Sequence, residues 1–161
     1  MLVVADSSPI NILIRIGCIQ ILPELFGAVL IPPEVHAELS DARTPETVRT
    51  FMATPPPWLQ VRAAKAVESI PPLGAGEAAA IILAEETRAD ALLIDEKDGR
   101  KAAASRGIRI IGTLGLLEEA AGRGSLDLAA VIERLKTTDF RLDARLVQDA
   151  LDRLRRKQSP G

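Results

Sequence analysis

The sequence predicts a three-layer α/β/α fold on a mainly parallel sheet of four or five strands. Three observations predict it. Short apolar runs alternate with helix-like segments along the chain. Those runs are continuous rather than alternating polar and apolar, as in strands covered on both faces. The 161 residues suffice for one domain, 1–161, with a substantial core.

The elements follow in order. Leu2–Ala5 is a short β-favouring run that stops at Asp6. A helix begins at once, with Ser8 suited to cap it and Pro9 to its first position. Ile10, Leu13 and Ile14 give it an apolar stripe, and Gly17 ends it. A short helix covers Ile19–Phe26, and Ala28–Ile31 is a second strand. Pro32-Pro33 opens the next helix, which runs to Leu39. Arg43–Met52 has helical composition. The run Pro55-Pro56-Pro57 is incompatible with helix and predicts an extended loop. Leu59–Arg62 suits a short edge strand. Glu77–Arg88 is helical, and Ala91–Ile94 is a buried strand ending at Asp95. Asp98–Arg106 is a helix halted by Gly107. Ile108–Ile111 is a further strand, followed by Gly112-Thr113. Leu114–Ala121, Leu126–Leu135 and Asp143–Lys157 complete the chain as helices. The motif-bearing core spans residues 2–125 and the last helices 126–157.

Composition excludes several function classes. Aromatics are 2% of residues, with one Trp, three Phe and no Tyr. A protein that reads single strands by base stacking carries more, so contact with nucleic acid has to run through phosphates and metal. The single cysteine, Cys18, permits neither an internal disulfide nor a cysteine zinc cluster. It reads as a buried thiol. The single histidine, His36, rules out a His-rich metal site. No basic flank precedes the first apolar run, and no stretch approaches the roughly 18 apolar residues of a membrane span. The expectation is a cytoplasmic protein. Net charge is −2, from 20 basic and 22 acidic residues. With four acids assigned to cation binding, 18 remain against 20, so charge alone neither favours nor excludes RNA.

In open parallel sheets, sites form beyond the carboxyl ends of the strands. Asp6, Asp95 and Thr113 stand directly after predicted strands, and Glu38 and Glu77 lie on helices able to border the same edge. Each has a plainer reading. Asp6 suits a strand exit. Asp95 and Asp98 have the spacing of a helix cap and its third residue. Glu77 suits a helix N-terminus. Glu34 lies one turn from Glu38, and spacing does not choose between them. Ser7 suits a strand-exit hydroxyl. Taken together, clustered carboxylates repel unless a cation intervenes. Oxygen donors select hard cations such as Mg²⁺ or Mn²⁺, which points to phosphate or phosphodiester chemistry without selecting RNA.

The start VVADSSPINILIRIG resembles PIN domains, in which the first strand ends in Asp followed by Ser or Thr. IPPEVHAEL resembles their second signature. LGAGEAAAIILAEE and ADALLIDEKDGRKAAASRGIRIIGTLGLLEEA resemble a bacterial and archaeal PIN subgroup described as predicted nucleic-acid-binding proteins. The resemblance implies an endoribonuclease that cuts single-stranded RNA with Mg²⁺ or Mn²⁺; with the carboxylate set at the strand ends, in-line attack by a metal-activated water would leave a 5′ phosphate. The resemblance makes Asp6, Glu38, Glu77 and Asp95 the acidic ligands and Asp98 a further acid. Ser7 and Thr113 become supporting hydroxyls. Many PIN nucleases have Asp where Glu77 stands; Glu is one methylene longer and reaches the same place from a more withdrawn helix. Relatives include homodimeric toxins of toxin–antitoxin pairs, which implies an antitoxin protein and a second copy as partners. The apolar helix surfaces between Ile10 and Leu30 suit a dimer.

Arg100 and Lys101, one turn beyond Asp95, are placed to meet the phosphate backbone, with Arg106 and Arg109 farther along. RLRRK at 153–157 is a second basic cluster, which also reads as a solvated helix end. The rival to a nuclease is a non-catalytic PIN-like module that binds nucleic acid or protein. A small-molecule phosphatase of the haloacid-dehalogenase type needs a second Asp two residues after the nucleophile, where Ser8 stands. A phospho-acceptor domain needs an acidic pair near the first strand. Gly74-Ala75-Gly76 lacks the Gly-Lys-Ser/Thr of a nucleotide loop.

Overall fold

A computed structural model describes residues 1–158. They fall into two compact units, Met1–Thr113 and a second beginning at Leu114. The first unit carries a five-stranded sheet, formed by β1 (Val3–Ala5), β2 (Val29–Ile31), β3 (Leu59–Val61), β4 (Ala91–Leu93) and β5 (Ile110–Ile111). The strand order is β3-β2-β1-β4-β5 and every pairing is parallel.

All nine residues of β1, β2 and β4 are buried. Successive side chains point to opposite faces of a strand, so both faces of the sheet are covered. This is the physical basis of the three-layer α/β/α arrangement. β3 is an edge strand: Leu59 is buried, whereas Gln60 and Val61 are exposed.

The helices of this unit are α1 (Ser7–Arg15), α2 (Ile21–Phe26), α3 (Pro33–Leu39), α4 (Glu46–Ala53), α5 (Ala75–Thr87) and α6 (Lys97–Ser105). Their boundaries depart from the sequence reading for local reasons. Asp6, in extended conformation, holds the cap position of α1, so Ser8 lies inside the helix. Pro9 still falls in the first turn, where a missing N–H costs nothing. α4 starts at Glu46 because Pro45 takes its cap position. Asp41, Arg43 and Thr44 form a turn instead, with Asp41 accepting from the Arg43 N–H. Gly17 and Gly107 both adopt positive φ just past α1 and α6, as chain-reversing residues there do. β5 is only two residues long, since Ile108 is still occupied in closing α6 through a hydrogen bond to the Ala103 carbonyl.

The second unit holds most of α7 (Thr113–Gly122), then α8 (Leu128–Leu135) and α9 (Ala144–Gln158). Asp127 caps α8 by accepting from the Ala129 and Ala130 N–H groups. Arg153 of α9 donates a two-pronged bond to Glu118 of α7, at 2.6 and 2.9 Å. This pairing holds the Glu118 carboxyl below its ordinary range.

Candidate active site

The chain order reverses direction at β1, which is flanked by β2 and β4. At such a switch point the connections leaving adjacent strands diverge and open a crevice beyond their carboxyl ends. Asp6 is the first residue after β1, and its N–H donates to the Leu93 carbonyl at 2.9 Å. Asp95 stands two residues past β4. The two acids therefore lie on the same rim of the sheet, on neighbouring strands.

Asp6 is 2% exposed, and its Oδ1 is buried without a hydrogen-bond partner. Burial pushes its carboxyl up from 3.8 to about 7, partly countered by the Ser7 backbone N–H. The charges of Glu77, Glu38 and Asp95 add to the rise. Glu77 Oε2 is also buried and unpartnered. The Glu77 carboxyl is raised by burial first, and then by Glu96, Glu38 and Asp98.

The other two acids are held by neighbours. The Ser7 hydroxyl donates to Glu38 Oε2 at 2.7 Å, joining the start of α1 to the end of α3. Thr113 grips Asp95 twice: its N–H donates to Oδ1 and its hydroxyl to Oδ2, both at 2.7 Å. The Ser8 hydroxyl donates to the same Oδ2 at 3.3 Å. Thr113 is fully buried, so this grip is shielded from water.

Two glycines permit the close approach of these groups. A Cβ on Gly76 would overlap the Glu38 carboxylate, with Cδ only 2.7 Å away. The carboxylate thus rests against the first turn of α5, where free N–H groups favour negative charge. A Cβ on Gly112 would lie 2.7 Å from Arg100 Nη1 and 3.2 Å from Asp95 Oδ1. The Arg100 guanidinium therefore sits over the end of β5, beside Asp95.

Of the four acids that sequence reasoning placed at one site, Glu77, Glu38 and Asp95 each act on Asp6, and Glu38 acts on Glu77. Asp98 acts on Glu77 and is not among the charges that shift Asp6. Glu38, rather than Glu34, meets Ser7. Lys101 is exposed and Arg100 is half-buried. Arg106 pairs with Glu85 and Glu68. Ser8, Glu96, Gly76 and Gly112 were not singled out for the site. The adjacency of Glu96 to Asp95 and of Gly76 to Glu77 was the signal available for two of them.

Among the described residues, no three His, Cys, Asp or Glu side chains close into a cage for a metal ion. The donor chemistry nevertheless fits a hard cation, since every candidate ligand is a carboxylate oxygen. Mg²⁺ keeps several waters and is commonly held by one or two carboxylates. The buried, unpartnered oxygens of Asp6 and Glu77 meet that requirement.

The chain matches the family model DUF3368, described as a PIN domain, over residues 2–156. A similar solved structure is that of a PilT N-terminus domain protein from the hyperthermophilic archaeon Sulfolobus solfataricus P2. Its TM-score is 0.57 and its identity 20%, over 79% of this chain and 95% of that one, which is a likeness of fold. No curated protein matches the sequence.

Proposed function

This chain belongs to the PIN-domain family, whose members are commonly nucleases, and we propose that it is a divalent-metal-dependent endoribonuclease acting on single-stranded RNA. The observation that supports this most is Asp6, buried at the switch point with an unpartnered oxygen and three carboxylates acting on it. A folded chain tolerates such a cluster when a cation neutralises it.

Asp6, Glu38, Glu77 and Asp95 are the residues that would hold Mg²⁺ or Mn²⁺. The bound cation would lower the pKa of water and neutralise charge on the phosphoryl group. Ser7 fixes the direction of Glu38, and Thr113 with Ser8 fixes Asp95. These are the outer contacts that orient ligands. Asp98 adds negative charge on the Glu77 side. Arg100 and Lys101 would receive the negatively charged backbone of the RNA. Hydrolysis breaks the P–O3′ bond, with water as nucleophile, and leaves a 5′ phosphate and a 3′ hydroxyl.

The test is cleavage of single-stranded RNA with Mn²⁺ or Mg²⁺, compared with EDTA and with Asp6→Asn and Asp95→Asn. Cleavage by the variants equal to that of the wild type rejects the assignment. The second reading, a PIN-like module that binds without cutting, draws on Glu77 standing where Asp is commoner and on the open arrangement of the acids. Calorimetry showing no binding of Mn²⁺ favours it.

A toxin role, with an antitoxin protein as partner and a homodimer as the assembly, extends the same proposal. Growth arrest on expression, relieved by a co-expressed neighbouring gene, supports the toxin role. Light scattering that shows only monomer removes the dimer. No described helix is long and apolar enough to cross a membrane.

A further inference from the structure

We infer that Arg100 holds the phosphate next to the scissile one, on the β5 side, so that the preferred substrate is an oligonucleotide carrying at least two linkages. The inference rests on the nuclease reading and adds a subsite to it.

The strand ends set the geometry. Asp6 follows β1, Asp95 follows β4, and the Arg100 guanidinium lies over Gly112 at the end of β5. Neighbouring strands are spaced by roughly 5 Å, so the line from Asp6 to Arg100 crosses about 10 Å. Extended single-stranded backbone laid across the strand ends places its next phosphate along that line.

Arg100 is equipped for this. It is half-buried. No carboxylate among the described residues forms an ion pair with its guanidinium, although Asp95 lies beside it. The Thr113 N–H and hydroxyl already occupy Asp95. An arginine with unused donors, held next to a cluster of acids, suits a phosphodiester, whose two free oxygens it can grip with two parallel bonds. Lys101, by contrast, is exposed and carries a point charge on a flexible stem.

Gly112 is part of the device. A side chain there would press on Arg100 Nη1, so the bare backbone supplies the seat on which the guanidinium rests.

The experiment uses an RNA trinucleotide in which one linkage is cut and the other is either phosphate or neutral methylphosphonate. In the wild type, neutralising the flanking linkage raises KM about tenfold or more, the value of a charge-assisted hydrogen bond, with a smaller change in kcat. Arg100→Gln raises KM on the fully charged substrate by a similar factor, and neutralising the flank then costs nothing further. Arg100→Lys recovers part of the loss, because charge is kept and the fork is not. It also keeps the test available if the Gln variant does not fold. An equal penalty from the neutral flank in wild type and variant overturns the assignment.

Binding of a short fluorescent RNA in EDTA supplies a readout independent of cleavage. Arg100→Gln should reduce the slope of log K against log salt by about 0.7, one phosphate contact on a single strand. An unchanged slope, or no RNA binding at all, overturns the assignment. A wild type that binds with an Arg100-dependent slope but never cuts overturns the nuclease reading and leaves the subsite standing.

Discussion

Replacing Asp6 with Asn should make the metal-free protein more stable at alkaline pH while removing its activity. The folded chain holds the Asp6 proton up to about 7, against an ordinary 3.8. Folded protein therefore binds this proton more tightly than unfolded protein does. Stability from the protonated form is present in full below about pH 4 and is lost as pH rises through about 7. The whole loss is about 4 kcal/mol. Asn cannot ionise, so Asp6→Asn escapes it.

The substitution also adds a buried N–H group that needs an acceptor, a cost of about 1–3 kcal/mol when unmet. That cost is the same at every pH and cancels in a comparison of two. The variant should thus gain about 3 kcal/mol more over the wild type at about pH 8 than at about pH 5. Urea midpoints in EDTA at both pH values measure this directly. A stability difference between variant and wild type that does not change with pH would refute the reasoning, because the charge on Asp6 would then carry no folding penalty.

Three further outcomes follow from the same geometry. Mn²⁺ at about one hundred times its Kd should stabilise the wild type near pH 8 by about 2.7 kcal/mol in thermal melts and leave Asp6→Asn nearly unmoved; equal shifts in both would place the cation elsewhere. Gly76→Ala improves helix propensity by up to about 1 kcal/mol but forces the Glu38 carboxylate off the first turn of α5. Calorimetry should therefore show Mn²⁺ affinity lowered roughly 10-fold or more in a chain that is still folded. Thr113→Val removes the hydroxyl donor to Asp95 Oδ2 and keeps the N–H donor to Oδ1. It should cost about 1–2 kcal/mol of stability and roughly 10–100-fold in cleavage, with Thr113→Ser restoring most of both; a silent Thr113→Val would show that the backbone N–H at 113 and Ser8 suffice to orient Asp95.

The nature and sequence of the elements were legible from local chemistry. Val3–Ala5, Val29–Ile31 and Ala91–Leu93 are short apolar runs without alternation, and such runs need cover on both faces wherever they lie. Gly17 and Gly107 marked helix ends because chain reversal there requires a positive φ. The edge strand expected at Leu59–Arg62 is β3, whose Gln60 and Val61 are exposed. Asp6 and Asp95 were readable as strand-end acids for the same reason: each directly follows an apolar run. Glu38 and Glu77 were assigned to the site through a resemblance, since a charge on a helix carries no local mark that separates a ligand from a solvated residue.

Other features depended on segments far apart in the chain. The pairing of β1 with β4 in the order β3-β2-β1-β4-β5 puts Asp6 beside Asp95, and that pairing rather than one with β5 is a matter of long-range packing. The bond from Ser7 to Glu38 and the double grip of Thr113 on Asp95 likewise join segments that share no sequence pattern. The closeness of Glu38 to Gly76 and of Arg100 to Gly112 was invisible for the same reason. Local sequence states what each residue can do, through its shape, charge and backbone freedom. Which buried carboxylate loses its water, and which charges then act on it, is decided by the dielectric and the neighbours that the folded chain assembles.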